Sequence, residues 1–138
     1  MNLQTMVTDN ITELLVKIVE FTHNRQKILT QNLNHMHRAG FVPVDLAVDE
    51  FSDLLNTALE EHMCNRRLVL CDTQNIKFQA DGSLELKAIV DQSAFELLED
   101  NQDEYVEQQI SKLLENAINQ RVAAELLRER QDISPLFE

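Results

Sequence analysis

Glycine and proline occur only twice each in this chain, aromatic residues make up 5% of it, and tryptophan is missing. A fold built on tight turns or phosphate-cradling loops needs more glycine than this. Scarce aromatics favour long helices over a compact sandwich. Basic residues are few as well: 12 Lys and Arg stand against 24 Asp and Glu, a formal net charge of -12. General nucleic-acid binding needs a stripe of cations to neutralise phosphates, and none is present. An anionic membrane surface would repel the chain for the same reason. The apolar runs fall far short of the roughly 20 residues that span a bilayer. No basic segment followed by an apolar one opens the sequence, so a cleaved Sec-type signal is not expected. That fits either the cytoplasm or a machine that exports unprocessed N-termini.

Cysteine is also scarce. If Cys64 and Cys71 shared one helix they would lie two turns, roughly 10 Å, apart, too far for a disulfide. Two reduced thiols near a helix end are expected. At 138 residues the chain suits a single domain with a modest core.

What is present is helical periodicity at both ends. Asn10 can cap a first helix, with Glu13 at the capping-box position. Ile11, Leu14, Leu15, Ile18, Phe21, Ile28, Leu29, Leu33 and Met36 then recur at near-heptad spacing. The helix is predicted over 10–36, with Gly40 and Pro43 preventing its continuation. A last helix is predicted over 101–131, capped by Asn101 with Glu104, or by Asp103 alone. Val106, Ile110, Leu113, Ala117, Gln120, Ala124 and Leu127 alternate by four and three, the seam of a coiled coil. Leu114, Ile118, Val122 and Leu126 widen that stripe beyond what one partner helix covers. Arg121, Arg128 and Arg130 lie toward the end where the helix dipole favours cations. Ser134 to Glu138 read as a short break after the helix.

The middle segment, 41–100, has other patterns. Asp49–Met63 predicts a shorter amphipathic helix through Phe51, Leu54, Leu55, Ala58 and Leu59. Leu68-Val69-Leu70 fits a short strand. Ile76, Phe78 and Ala80, then Asp81-Gly82, then Leu84, Leu86 and Ala88 predict a β-hairpin. Asp91–Asp100 fits either a helical turn or an extended lead-in.

Catalytic readings are weak. His35 and His37 are two residues apart and would diverge on a helix, and His62, Cys64 and Cys71 form no recognised ligand spacing. Glu60-Glu61, Glu99-Asp100 and Asp103-Glu104 read as solvated helix ends, because paired catalytic carboxylates need a cleft. No nucleophile motif is visible, and no enzyme activity, metal or cofactor is expected.

The stretch from Arg25 to His35, followed by Gly40-Phe41 and Asp45-Leu46, resembles the flagellar basal-body proximal rod proteins. They are a branch of the bacterial flagellar rod/hook axial protein family. There a helix ending R-x-x-x-L-A-S-N-I-A-N runs into T-P-G-Y and an acidic-apolar pair. Asn32 falls on the first Asn, Leu33 on the Ile, Gly40 on the Gly and Phe41 on the Tyr. Val106–Ile110 resembles the family's V-D-x-E-M helix start, and Asn116–Leu127 its N-A-L-x-Y-x-A-A-x-x-L-L run. Departures are His35 for the second Asn, Arg38-Ala39 for Thr-Pro, and Gln120 for an aromatic.

The expected fold is therefore mainly α. Two long terminal helices pack antiparallel, coiled-coil-like, around a short middle helix and a small β-hairpin, within one domain over 1–138. The resemblance implies a structural rod subunit, exported without a cleavable signal to the periplasmic rod and passing torque for motility. It also implies self-association and contacts with other rod proteins and with the ring or adaptor at the rod's base. Leu14, Ile18, Phe21, Ile28, Asn32, Gly40, Val106, Ile110, Leu113 and Leu127 are the expected assembly residues. A cytoplasmic helical adaptor or export chaperone, holding a partner helix on the same stripes, is the alternative.

Overall fold

A computed structural model of the chain describes residues 3–133, with side chains placed from residue 10 to residue 130. The order of elements is α1 (Leu3–Asn34), β1 (Val44–Asp45), α2 (Val48–Asn65), β2 (Ile76–Phe78), β3 (Leu84–Leu86), β4 (Ile89–Val90), α3 (Gln92–Asp100) and α4 (Gln102–Ile133). The architecture is mainly helical, and the two long helices α1 and α4 pack together. Each is 32 residues long, roughly 48 Å end to end. The break read at Ser134–Glu138 lies outside the described residues.

α1 starts at Leu3, so Asn10 sits inside the helix and is not its cap. Its side chain instead reaches across to α2, with Nδ2 3.4 Å from His62 Nδ1 and 3.5 Å from the Arg66 carbonyl. α1 ends at Asn34, and the chain turns through Gly40, whose φ of +74° is a left-handed conformation that glycine adopts without strain. Asn101 has a double role at the other end. Its N–H donates to the Leu97 carbonyl and closes α3, while its side-chain oxygen accepts from Glu104 N at 3.2 Å and opens α4. Asp91–Asp100, which suited two descriptions, is the helix α3 with Asp91 as its N-cap.

The apolar core lies between α1 and the middle segment. Phe21, Leu46, Phe51, Leu54 and Ile76 form its buried centre, and Ile18, Ile28, Phe78, Leu84 and Leu86 pack around them. The Phe21 and Phe51 rings stack with centroids 4.0 Å apart and planes 2° from parallel. The hairpin forms as its turn chemistry dictates, with Ile76 opposite Leu86 and Phe78 opposite Leu84. Asp81 Oδ1 accepts from Ser83 N at 3.0 Å, and Gly82 takes φ +89°. α1 grips this hairpin twice. Lys17 Nζ donates to the Gly82 carbonyl, and Glu20 Oε1 accepts from Leu84 N at 2.7 Å.

A second strand pair was not legible in the sequence. β1 and β4 pair antiparallel, Val44 opposite Val90 and Asp45 opposite Ile89, across a long chain separation. Leu68-Val69-Leu70, read as a short strand, is irregular and half-buried against the core.

Candidate assembly interface

α4 lies antiparallel to α1, since Gln109 faces Asn32 while Asn116 faces Thr22. The face it turns inward is largely polar. Tyr105 and Gln109 are 0% exposed and Asn116 is 2% exposed, with Ala123 buried further along. Each polar group meets a partner. Tyr105 Oη donates to the Asn32 carbonyl at 2.7 Å, an oxygen in the last turn of α1 where intrahelical donors run out. Asn32 Nδ2 donates to Gln109 Oε1 at 3.0 Å and to the Val44 carbonyl at 2.7 Å. Asn32 Oδ1 accepts from Val44 N at 3.2 Å. Asn116 Nδ2 donates to the Thr22 carbonyl at 2.7 Å. Such pairings fix the register of two helices, because a shift by one turn would leave every buried amide unsatisfied.

A charged cluster completes the attachment. Arg25 is bidentate on Asp45, with Nε and Nη2 each 2.9 Å from a carboxylate oxygen. Lys112 of α4 reaches Asp45 Oδ2 at 3.7 Å and also contacts Asp91. One cluster thus ties together α1, β1, the cap of α3 and α4. Burial, followed by the charge of nearby Asp91, pushes the Tyr105 hydroxyl up to about 12.

The inward line of α4 is therefore Tyr105, Gln109, Asn116 and Ala123, one residue out of phase with the expected seam. Of that seam, Val106, Leu113, Gln120 and Leu127 are half-buried on its edge, whereas Ile110, Ala117 and Ala124 are exposed. Two amides and a tyrosine fall outside the expected seam, because that seam follows the apolar repeat that starts at Val106. Their α1 partners are what bring them inward.

The apolar residues that were read as extra width form a row on the outer side of α4. Ile110 is 45% exposed, Leu114 62%, Ile118 62%, Val122 51% and Leu126 45%. Four-residue spacing keeps them adjacent along the helix surface. The expected assembly residues on α1 are internal. Leu14 and Phe21 are buried, Ile18 and Ile28 pack on the core, and Asn32 holds α4 and β1. Gly40 sits in the exposed turn after α1, with no atom close to where a Cβ would project. Of the ten, only Ile110 combines a large apolar side chain with an exposed surface.

Other candidates reduce to local packing. Cys64 and Cys71 are both free and exposed. His35 stands edge-on to Phe41, with centroids 6.1 Å apart. Among the described residues no group of His, Cys, Asp and Glu is placed to hold a metal ion. Among them, too, no helix is long and apolar enough to cross a membrane.

Fold and surface together define two long antiparallel helices clamped on a small mixed segment, with an apolar row left open along α4. Compared with protein-family models, curated proteins and solved structures, the chain matches none of them.

Proposed function

We propose that the chain is a structural subunit of the bacterial flagellar basal-body rod, built in through its terminal helices. The single observation behind this reading is the division of labour on α4. Its polar face is consumed in fixing α4 on α1, while its apolar row from Ile110 to Leu126 faces outward. Monomeric proteins seldom leave a continuous apolar row of this kind open, and such rows mark contact surfaces. The likeness of Arg25–Leu46 and Val106–Leu127 to the proximal rod proteins supplies the identity of the assembly. In this reading the subunit acts without catalysis, metal or cofactor, is exported without a cleaved signal, and meets other rod proteins and the ring or adaptor at the rod's base.

The test is to isolate intact hook–basal bodies from the source cells and probe them with an antibody to this chain. Stoichiometric presence in the rod supports the reading. Presence in the cytosol alone, with complete rods, overturns it and puts a cytoplasmic helical adaptor or export chaperone first. One observation favours that second reading: among the described residues no buried side-chain polar atom lacks a partner. A chain so well satisfied has reason to fold before it meets any assembly.

A further inference from the structure

We propose that the channel between α2 and α4 seats one amphipathic helix of a partner protein, a helix whose apolar stripe is flanked by Lys or Arg. The inference deepens the proposed function at the Val122 and Leu126 end of the α4 row, and rests there on reading that row as a contact surface. It holds whether or not the assembly is the flagellar rod.

Three successive residues of α1 define the channel. Glu20 Oε1 accepts from Leu84 N of the hairpin, Phe21 stacks on Phe51 of α2, and the Thr22 carbonyl accepts from Asn116 of α4. Successive helix residues are about 100° apart, so α2 lies on α1 between the hairpin and α4. Two helices that each pack about 8–10 Å from α1, roughly a quarter-turn apart around it, stand roughly 13 Å from each other. That spacing leaves a trough between them with α1 as its floor.

Both walls of the trough are apolar, and they stand level. α2 and α4 each run antiparallel to α1. Counting back from His62 beside Asn10 sets Leu59 level with Glu13, and counting on from Asn116 beside Thr22 sets Leu126 level with Thr12. Glu50 and Thr57 line the flank of α2 that faces the loop of residues 69–73. Leu59 and Met63 fall on the opposite flank, toward α4. On α4, Leu126 is five whole turns beyond Gln108, whose side chain donates to Ser93 of α3 at 3.1 Å. Leu126 therefore shares the flank that faces the middle segment, with Val122 beside it, because four-residue steps carry the row gradually around α4. Leu59 is 41% exposed, Met63 65%, Val122 51% and Leu126 45%, so the described residues leave the space between the walls open.

Charge selects the occupant. Glu60 of α2 and Glu115 and Glu129 of α4 stand along the rims, and among the described residues none of the three makes an ion pair. Arg130 falls on the α1 side of the same flank. The rims are thus acidic, on a chain of net charge -12. A second copy meets repulsion from both, whereas a helix with Lys or Arg beside a stripe of Leu, Ile or Met satisfies walls and rims together. Such a helix completes a four-helix arrangement with α1, α2 and α4 and covers the four side chains now open.

The probe is a synthetic leucine–lysine helix of about 15 residues, roughly four turns, with the same peptide carrying glutamate for lysine as its counterpart. In calorimetric titration of the full chain at low salt, the lysine peptide should bind and the glutamate peptide should not. Met63→Asp and Leu126→Asp should each weaken binding by about tenfold or more, with helical circular dichroism unchanged. Leu114→Asp, also at an exposed position but a third of a turn from Leu126 around α4, should leave binding unchanged. Glu60→Lys should weaken it by about 3-fold or more. The Met63 methyl resonance of the unaltered chain should shift with the lysine peptide, a reading that needs no variant to fold. Equal binding of both peptides, an equal loss in Leu114→Asp, or an unmoved Met63 methyl overturns the proposal. A chain that self-associates through Met63 and Leu126 and binds neither peptide overturns the choice of partner and gives the channel to a second copy. These outcomes separate from those for the rod. Basal bodies lacking a chain that takes the lysine peptide in this channel refute the rod assignment alone. A chain found in the rod whose channel takes no peptide refutes the channel alone.

Discussion

The Tyr105 hydroxyl donates to the Asn32 carbonyl at 2.7 Å, joining the first turn of α4 to the last turn of α1 in a site closed to water. Tyr105 is the only tyrosine, and the chain has no tryptophan, so its ring reports on this junction alone. Its hydroxyl is pushed up to about 12, first by burial and then by the charge of Asp91. An unfolded tyrosine ionises near 10. The folded chain therefore holds this proton more tightly, and the stability it gives is complete below about pH 10. That stability is lost as pH rises through about 12. Tyrosinate absorbance should show a midpoint near 12 in buffer and near 10 in denaturant. A midpoint near 10 in the folded chain would refute the closed junction. Tyr105→Phe should lower stability by about 1 kcal/mol, the value of one net hydrogen bond.

Asp45 is the centre of the buried charge cluster, accepting both Arg25 contacts at 2.9 Å and lying 3.7 Å from Lys112. Removing it strands the buried Arg25 guanidinium without a counter-charge. Asp45→Ala should cost about 3 to 5 kcal/mol in urea unfolding, the range for breaking one side of a buried pair. The double replacement Arg25→Met with Asp45→Leu should cost distinctly less, because it removes the stranded charge as well. A double variant as unstable as Asp45→Ala would place the loss in packing instead.

Much of this fold could be read from the sequence, and the parts that could not have a common cause. The periodicity of Leu14, Leu15, Ile18 and Phe21 located α1, and the alternation around Asp81-Gly82 located the hairpin. Both signals are local. The inward face of α4 depends on Gln109 and Asn116, polar residues whose burial makes sense only beside Asn32 and Thr22, some 77 and 94 positions away. Lys17 and Arg25 lie outside the apolar periodicity of α1, yet both are buried because Gly82 and Asp45 receive them. β1 and β4 are two residues each, too short for any alternation to register. The candidate surface was half legible. Leu114, Ile118, Val122 and Leu126 were seen as surplus to one helix pair, but which row faced outward was set by those distant amides.

Phe51 is buried against Phe21 in the stacked pair that joins α2 to α1. Among the described residues α4 contributes nothing to the centre of this cluster, so the apolar core and the polar α1–α4 seam are separable. Phe51→Ala should cost about 3 to 5 kcal/mol in global unfolding. Ala123, by contrast, is a small buried residue on α4, and Ala123→Gly should mainly loosen that helix, at about 1 kcal/mol. Native-state hydrogen exchange distinguishes the two. The first variant should raise exchange in α1 and α2 together, and the second should raise it in α4 while leaving α2 protected.

Glu50 ties α2 to the loop before β2, accepting from Asn75 N at 3.1 Å and from Asn75 Nδ2. Hydrogen bonds from Thr73 first, and then from Asn75, hold its carboxyl below the ordinary 4.5. A depressed pKa means that the folded chain prefers the charged form more than the unfolded chain does. Its contribution is therefore fully present above about pH 4.5 and declines as pH falls through the lower folded value. Glu50→Gln keeps the shape but weakens the acceptors, so it should be less stable than the parent at pH 6 by a modest margin. Urea midpoints of the two proteins should draw together below about pH 4.5, where the parent's own carboxyl takes up its proton. A gap that stays constant from neutral to strongly acidic pH would show that the charge of Glu50 contributes nothing to holding the loop.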